Sequence, residues 1–239
     1  MKAIRVSLSI LPIVILVAGC NVNKDISVPD GAHWSSGSST INGEITVGAH
    51  AIVNGGLRTI NGSISVAPRA EVGDLTVING SITLSDGVHA AELQSVNGDI
   101  RLGKQAVADG DVRTVNGSIE TAAQTRIQGS VYDVNGDVTL CDARVRGNIS
   151  FYNGTVQLAG NSIVQGNIAV KKPNGNGNNR VPYLIVGSGA SVGGTISFER
   201  PGELYVSDSA VIHGVQGATP VRFSGATPAK LPAPNCPNN

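Results

Sequence analysis

The stretch RTINGSISVAPRAEVGDLTVINGSITL, residues 58–84, decides the fold because it states one pattern twice: INGSI at residues 60–64 returns at residues 78–82. Asn-Gly recurs at Asn42, Asn61, Asn79, Asn97, Asn116, Asn135 and Asn153, a series spaced by 18 or 19 residues. A short, fixed period of this kind is the mark of a solenoid, in which each repeat is one supersecondary unit stacked on the next.

Each repeat has the same internal plan. Three residues after the Asn stands Ile45, Ile64, Ile82, Ile100, Ile119, Val138 or Val156, and two residues further Val47, Val66, Leu84, Leu102, Thr121, Leu140 or Leu158. Spacing by two is strand alternation. A second apolar signal closes each repeat, at Leu57, Leu75, Leu93, Val112, Val131, Ile149 and Ile168. So a repeat holds two or three short strands and has no room for a crossover helix. Parallel strands normally need a connection of a dozen residues or more, unless the chain coils and each strand pairs with its own copy one turn later. The expected fold is therefore all-β: a single-stranded parallel β-helix of about nine coils of 18–19 residues, a rod of roughly 40 Å at about 4.8 Å per coil. The competing reading is seven separate hairpins, since Asn-Gly is also a strong hairpin signal. A meander has no need of so constant a period. Between residues 40 and 170 the only proline is Pro68, as expected where central coils donate backbone N–H groups to their neighbours; Pro68 belongs in a turn.

Stacked in register, Asn42, Asn61, Asn79, Asn97, Asn116, Asn135 and Asn153 form an amide ladder, each side chain bonding the next. The Gly that follows tolerates positive φ and suits a corner. One column is ambiguous. Counting by twos from Leu57 turns Ile60 outward, and counting back from Ile64 turns it inward. If outward, Ile41, Ile60, Ile78, Val96, Val115, Val134 and Tyr152 make an exposed apolar stripe, a binding or assembly surface. If inward, they fill a corner, which the aggregation hazard of exposed aliphatic stripes favours.

The chain divides by composition. Residues 1–19 read as a leader, with Lys2 and Arg5 before an apolar run that Pro12 interrupts and that is too short for a comfortable membrane span. Residues 20–38 read as a polar tether, with Trp34 capping the first coil or touching a ligand. The solenoid occupies residues 39–218: regular coils over 40–170, a Gly/Asn-rich loop over 171–180, and degenerate capping coils over 181–218. Residues 219–239 are a Pro-rich tail. No transmembrane helix is expected in the mature chain.

Lys plus Arg and Asp plus Glu number 17 each, with 14% charged and 3% aromatic residues. Nothing here points to nucleic acid as a partner. His33, His50, His89 and His213 have no metal-ligand spacing and no Cys-x-x-Cys occurs, so no metal or cofactor is expected. With Cys20 set aside, Cys141 and Cys236 remain, and an oxidising compartment would permit a disulfide between them. The enzymatic alternative comes from the architecture, since carboxylates aligned on one face of a β-helix can cleave polysaccharide. Glu44, Asp99 and Asp137 each sit two residues after a ladder Asn, and Asp109 and Asp111 share a turn. Asp99 and Asp137 fall two coils apart with Ser118 between them, which reads better as scattered solvated acids. No catalytic residue is assigned.

Two resemblances add expectations. VAGC, residues 17–20, resembles a bacterial lipobox, which implies cleavage before Cys20, acylation of its thiol and attachment to a membrane; Asn21, in place of Asp, implies sorting to the outer membrane. The ING-S/D-I and VNG-D-I/V units over residues 40–168 resemble the adhesin-type families with Gly-Ile-Asn or Val-Asn-Gly repeats, and the short coil resembles bactofilins more weakly. The resemblances imply a lipoprotein of the cell envelope; with the uniform repeat and the lack of any assignable catalytic set, the expected role is non-catalytic, structural or adhesive, with an envelope protein or glycan as partner. The alternatives are a polysaccharide-binding or polysaccharide-cleaving β-helix and a polymer-forming scaffold.

Overall fold

The computed structural model describes residues 22–173, 180–225, 227, 228, 231, 233, 234 and 236. The expected leader, Cys20 as the expected lipid-attachment residue, and residues 174–179 of the polar loop lie outside them. The described chain is a parallel β-solenoid of about ten turns, and no described helix is long and apolar enough to cross a membrane.

Each regular coil has three faces. The first carries a short strand, such as Ile45–Val47, Ile64–Val66 or Ile82–Leu84, in an 11-stranded sheet running from Ile26–Val28 to Pro220–Phe223. The second carries a two-residue strand, such as Glu71–Val72 or Arg126–Ile127, and the third a five-residue strand ending in the ladder Asn, such as Leu57–Asn61. The registers are those of like on like: Ile45 lies against Ile64, Ile64 against Ile82 and Ile82 against Ile100. Three apolar columns meet in one core, with Ile64, Leu75 and Val145 all fully buried. Pro68 lies in a turn outside the ladders.

The rod is longer than about nine coils at both ends. Ile26–Val28 pairs in register with Ile45–Val47, and His33–Trp34 pairs with Ile52–Val53, so most of the segment read as a tether is itself a coil. Its alternation, Ile26 and Val28 inward around Ser27, is only three residues long, and the Asn before it, Asn23, is followed by Lys24 instead of Gly. Trp34 is half-buried against the core of this coil. At the far end, Pro220–Phe223, assigned to the tail, adds a final strand beside Glu203–Ser207. Pro220 is tolerable there because no further coil needs its N–H. Around the polar loop, Val156 pairs with Leu184, and the register shifts by 28 residues where neighbouring coils use 18 or 19.

The glycine of each Asn-Gly has a sterically stricter role than corner-making. Gly62, Gly80, Gly98 and Gly154 have positive φ, whereas Gly43, Gly117 and Gly136 do not. What all seven share is a backbone carbonyl of the coil below where a side chain would begin. A Cβ on Gly98 would lie 2.0 Å from the oxygen of Gly80, and one on Gly136 would lie 1.8 Å from that of Gly117. The same contact recurs at Gly43, Gly62, Gly80, Gly117 and Gly154, all within 2.3 Å.

Cys141 and Cys236 are disulfide-bonded, 95 residues apart in sequence, with Cα atoms 5.7 Å apart. The tail therefore returns along the rod to the strand Val138–Cys141.

Two outcomes follow for stability. Gly98→Ala forces its coil off Gly80 and lowers unfolding free energy by about 3 kcal/mol or more in urea titration. Reduction of the disulfide, or Cys236→Ser, lowers it by about 2–4 kcal/mol by releasing a long loop in the unfolded chain, read as the difference between urea midpoints with and without reductant.

Candidate functional site

The asparagine column is a continuous amide ladder. Each Nδ2 donates to the Oδ1 of the Asn one coil earlier: Asn61 to Asn42 at 2.7 Å, Asn79 to Asn61 at 2.8 Å, Asn97 to Asn79 at 2.9 Å, Asn116 to Asn97 at 2.9 Å, Asn135 to Asn116 at 3.0 Å and Asn153 to Asn135 at 2.8 Å. An eighth member, Asn23, accepts from Asn42 at 2.6 Å. The ladder has a direction, since every amide donates toward the N-terminal end. Its last acceptor, Asn153 Oδ1, receives the guanidinium of Arg200 at 2.9 Å. Arg200 also donates to the carbonyls of Tyr152 and Arg180, so one cation closes the ladder and holds the base of the polar loop. A cation suits the acceptor end of aligned dipoles. Neither Asn23 nor Arg200 carries the Asn-Gly signal, which is why sequence alone did not join them to the column.

The acids are tied into the coil. Asp99 Oδ1 accepts the N–H of Ser118 at 2.9 Å, and its Oδ2 accepts from Arg101 at 2.7 Å. Asp137 accepts the N–H of Thr155 at 2.7 Å, and Asp111 that of Ser130 at 2.7 Å. Asp25, Asp30, Asp74, Asp86 and Asp142 do the same for the coil that follows each of them. At corners the strand ladder breaks, and these side chains supply the acceptor that the backbone there lacks. Arg101 bridges onward to Glu120, and Arg113 contacts Asp111 and Glu92 while stacking 4.3 Å over the Tyr132 ring. Glu44 and Asp109 stay exposed. His33, His50, His89 and His213 are exposed as well, and no cluster of metal-ligating side chains occurs among the described residues.

The ambiguous column points outward. Along Leu57–Asn61, Leu57 and Thr59 are buried, Ile60 is half-buried, and Asn61 is exposed. Ile41, Ile60, Ile78, Val96, Val134 and Tyr152 are all half-covered and Val115 is exposed; none belongs to the core. The favoured corner-filling role is therefore wrong. The corner is closed by backbone at Asn-Gly and leaves no space for a side chain. Outside, stacked aliphatic neighbours cover one another enough to limit exposure.

One inward position carries a charge-bearing group. Asp133 occupies the column of Thr40, Thr59, Ser95 and Thr114, whose hydroxyls donate to carbonyls of the preceding coil: Thr40 to Lys24 at 2.8 Å, Thr59 to Gly43 at 2.9 Å, Ser95 to Gly80 at 3.3 Å and Thr114 to Gly98 at 3.3 Å. Asp133 is 1% exposed, and neither oxygen has a hydrogen-bond partner among the described residues. Burial pushes its carboxyl up from 3.8 to about 8, and the negative charge of Asp137 adds to this; the nearby Gly136 N–H draws it down slightly without reaching hydrogen-bond geometry. A protonated Asp133 has the O–H that its column neighbours use. Stacking the repeats in register would have exposed this residue to sequence reading, because it is the one acid in a column of hydroxyl and apolar side chains.

The second face holds the remaining feature. Arg126, Arg144 and Arg146, with Gln128 and Gln165, wall a cleft of about 360 Å³ floored by Ile127. Arg126 and Arg144 lie directly opposite each other in adjacent coils. All three arginines are exposed, and none makes an ion pair among the described residues. Sequence reading missed them because they sit outside the Asn-Gly frame, 18 and 20 residues apart.

No family model, curated protein or solved structure matches the chain.

Asp133 makes stability depend on pH in a defined direction. The folded chain holds a proton that the unfolded chain releases, so the contribution of Asp133 to stability is most favourable below about pH 3.8 and is lost as pH rises toward 8. The loss by pH 7 is on the order of 4 kcal/mol at about 1.36 kcal/mol per pH unit. Asp133→Thr, which restores the column's hydroxyl, raises the thermal midpoint by about 5 °C or more at pH 8. The gap closes toward pH 4, as measured by calorimetry across that range.

Proposed function

We propose that this chain is a lipid-anchored β-solenoid of the bacterial envelope that works without catalysis, as a structural or adhesive rod. The observation that carries this reading is the use made of its acids. Asp99 and Asp137, the pair a cleaving β-helix would align, each hold a backbone N–H of the following coil, and Asp99 is further neutralised by Arg101. A carboxylate tied to the main chain of the next coil is poorly placed to swing toward a substrate.

Supporting features agree on the compartment. The lipobox-like VAGC ends at Cys20, and the other two cysteines are bonded to each other, as suits an oxidising environment. Two acyl chains or more on Cys20 would give a stable membrane hold, at about 0.8 kcal/mol per buried CH2. The outer membrane is the destination that Asn21 favours. The polymer-forming alternative is less well supported, because Arg200 closes the amide ladder within the chain and the tail is bonded back to the rod.

Cell fractionation tests the anchor: the wild type sediments with membranes, and Cys20→Ser moves it to the soluble fraction. An assay for new reducing ends on envelope and plant-type glycans tests the chemistry, and none should appear. Turnover that Asp99→Asn or Asp137→Asn abolishes would overturn the non-catalytic reading.

A further inference from the structure

We propose that the cleft between Arg126, Arg144 and Arg146 binds the oxyanion groups of an acidic glycan. This rests on the binding side of the role proposed above and names the chemistry of its partner.

The first argument is the placement of charge. Elsewhere the rod sets opposite charges across its coils: Arg101 meets Glu120, Arg113 meets Glu92, and Lys171 meets Glu199. Arg126 against Arg144 is the one pair of like charges in register among the described strands. Like charges directly opposite are destabilising, so this pair opposes the fold locally. Arg146 adds a third positive charge to the same lining, which contains no acid. An anion seated between the guanidinia relieves this repulsion. Guanidinium is also the side chain whose planar fork matches carboxylate and phosphate oxygens two at a time.

The second argument is shape and the company the arginines keep. The volume, about 360 Å³, falls within the range of small-ligand sites, roughly 300–1,000 Å³. Gln128 and Gln165 supply amides that both donate and accept, as the hydroxyls of a sugar require. Three cations on a rod of even overall charge are a weak footprint for nucleic acid, whose binding is dominated by many cation–phosphate contacts. They also fall short of the 4–8 basic residues that mark a lipid-headgroup surface, and a recess does not suit a flat bilayer.

The test uses the full chain in a non-ionic detergent and titrates it calorimetrically with an oligogalacturonate, a neutral malto-oligosaccharide of equal length, and anionic phospholipid vesicles. The oligogalacturonate is expected to bind, with affinity falling as salt rises, and the neutral sugar is not. Replacing Arg126, Arg144 and Arg146 together by Gln weakens uronate binding by about tenfold or more. Arg58→Gln, an exposed cation elsewhere on the rod, leaves it unchanged. The triple variant keeps or slightly raises the thermal midpoint, since like charges have been removed. Equal uronate binding by wild type and triple variant, no uronate binding at all, or Arg-dependent binding to vesicles alone overturns the proposal. None of these results depends on the reducing-end assay or on fractionation, so failure of the cleft and failure of the non-catalytic anchored rod are read separately.

Discussion

The molecule depends on one close approach. At each of the seven Asn-Gly pairs of the ladder the backbone of a coil comes down on the coil beneath so tightly that a carbonyl oxygen occupies the space of a missing Cβ. This contact fixes which residue lies above which. Once it is set, the three strands of each coil meet their copies in parallel register, and the apolar columns close over one another without gaps. A slip by one residue would bring a side chain into the contact and turn each strand's buried set outward. The period is therefore held by sterics at the corner as well as by hydrophobicity on the faces.

Polar groups follow from the same constraint. A corner interrupts the strand ladder, so each needs a side chain to take up an N–H of the coil above. Asp, Asn and Ser recur at those places for that reason, as Asp86, Asn148 and Ser63 show. The Asn ladder adds a directed column of amides along the whole regular part, and Arg200 terminates it with charge. Asp133 is the exception that tests the rule: it keeps the shape of its column and loses the column's hydrogen bond unless it is neutral. Residues that face outward between corners carry no such duty, and there the arginine cleft lies.

The fold was legible because its signal is local and repeated. Ile64 and Val66, spaced by two and followed 18 residues on by Ile82 and Leu84, imply stacked strands without any knowledge of the rest. The first coil was hidden because Ile26 and Val28 are preceded by Asn23-Lys24 and not by Asn-Gly, and the last because Pro220 is a residue no central strand would carry. Ile60 was read to the wrong side, since the pattern cannot show that the corner beside it is filled by main chain. The cleft was illegible for a different reason. Arg126, Arg144 and Arg146 become neighbours only when coils are superposed at the true register, and cations scattered through a polar sequence read as solvated surface until then.

The early start of the first coil bears on how the rod would stand. Only residues 21–25 separate Cys20 from Ile26, and six steps of fully extended chain reach at most about 20 Å. With acyl chains on Cys20, such a leash is far shorter than the rod it holds, so the base of the solenoid would rest near the lipid headgroups. The cleft, five to six coils up the stack, would then sit roughly 25–30 Å above that base, a reach set by counting turns.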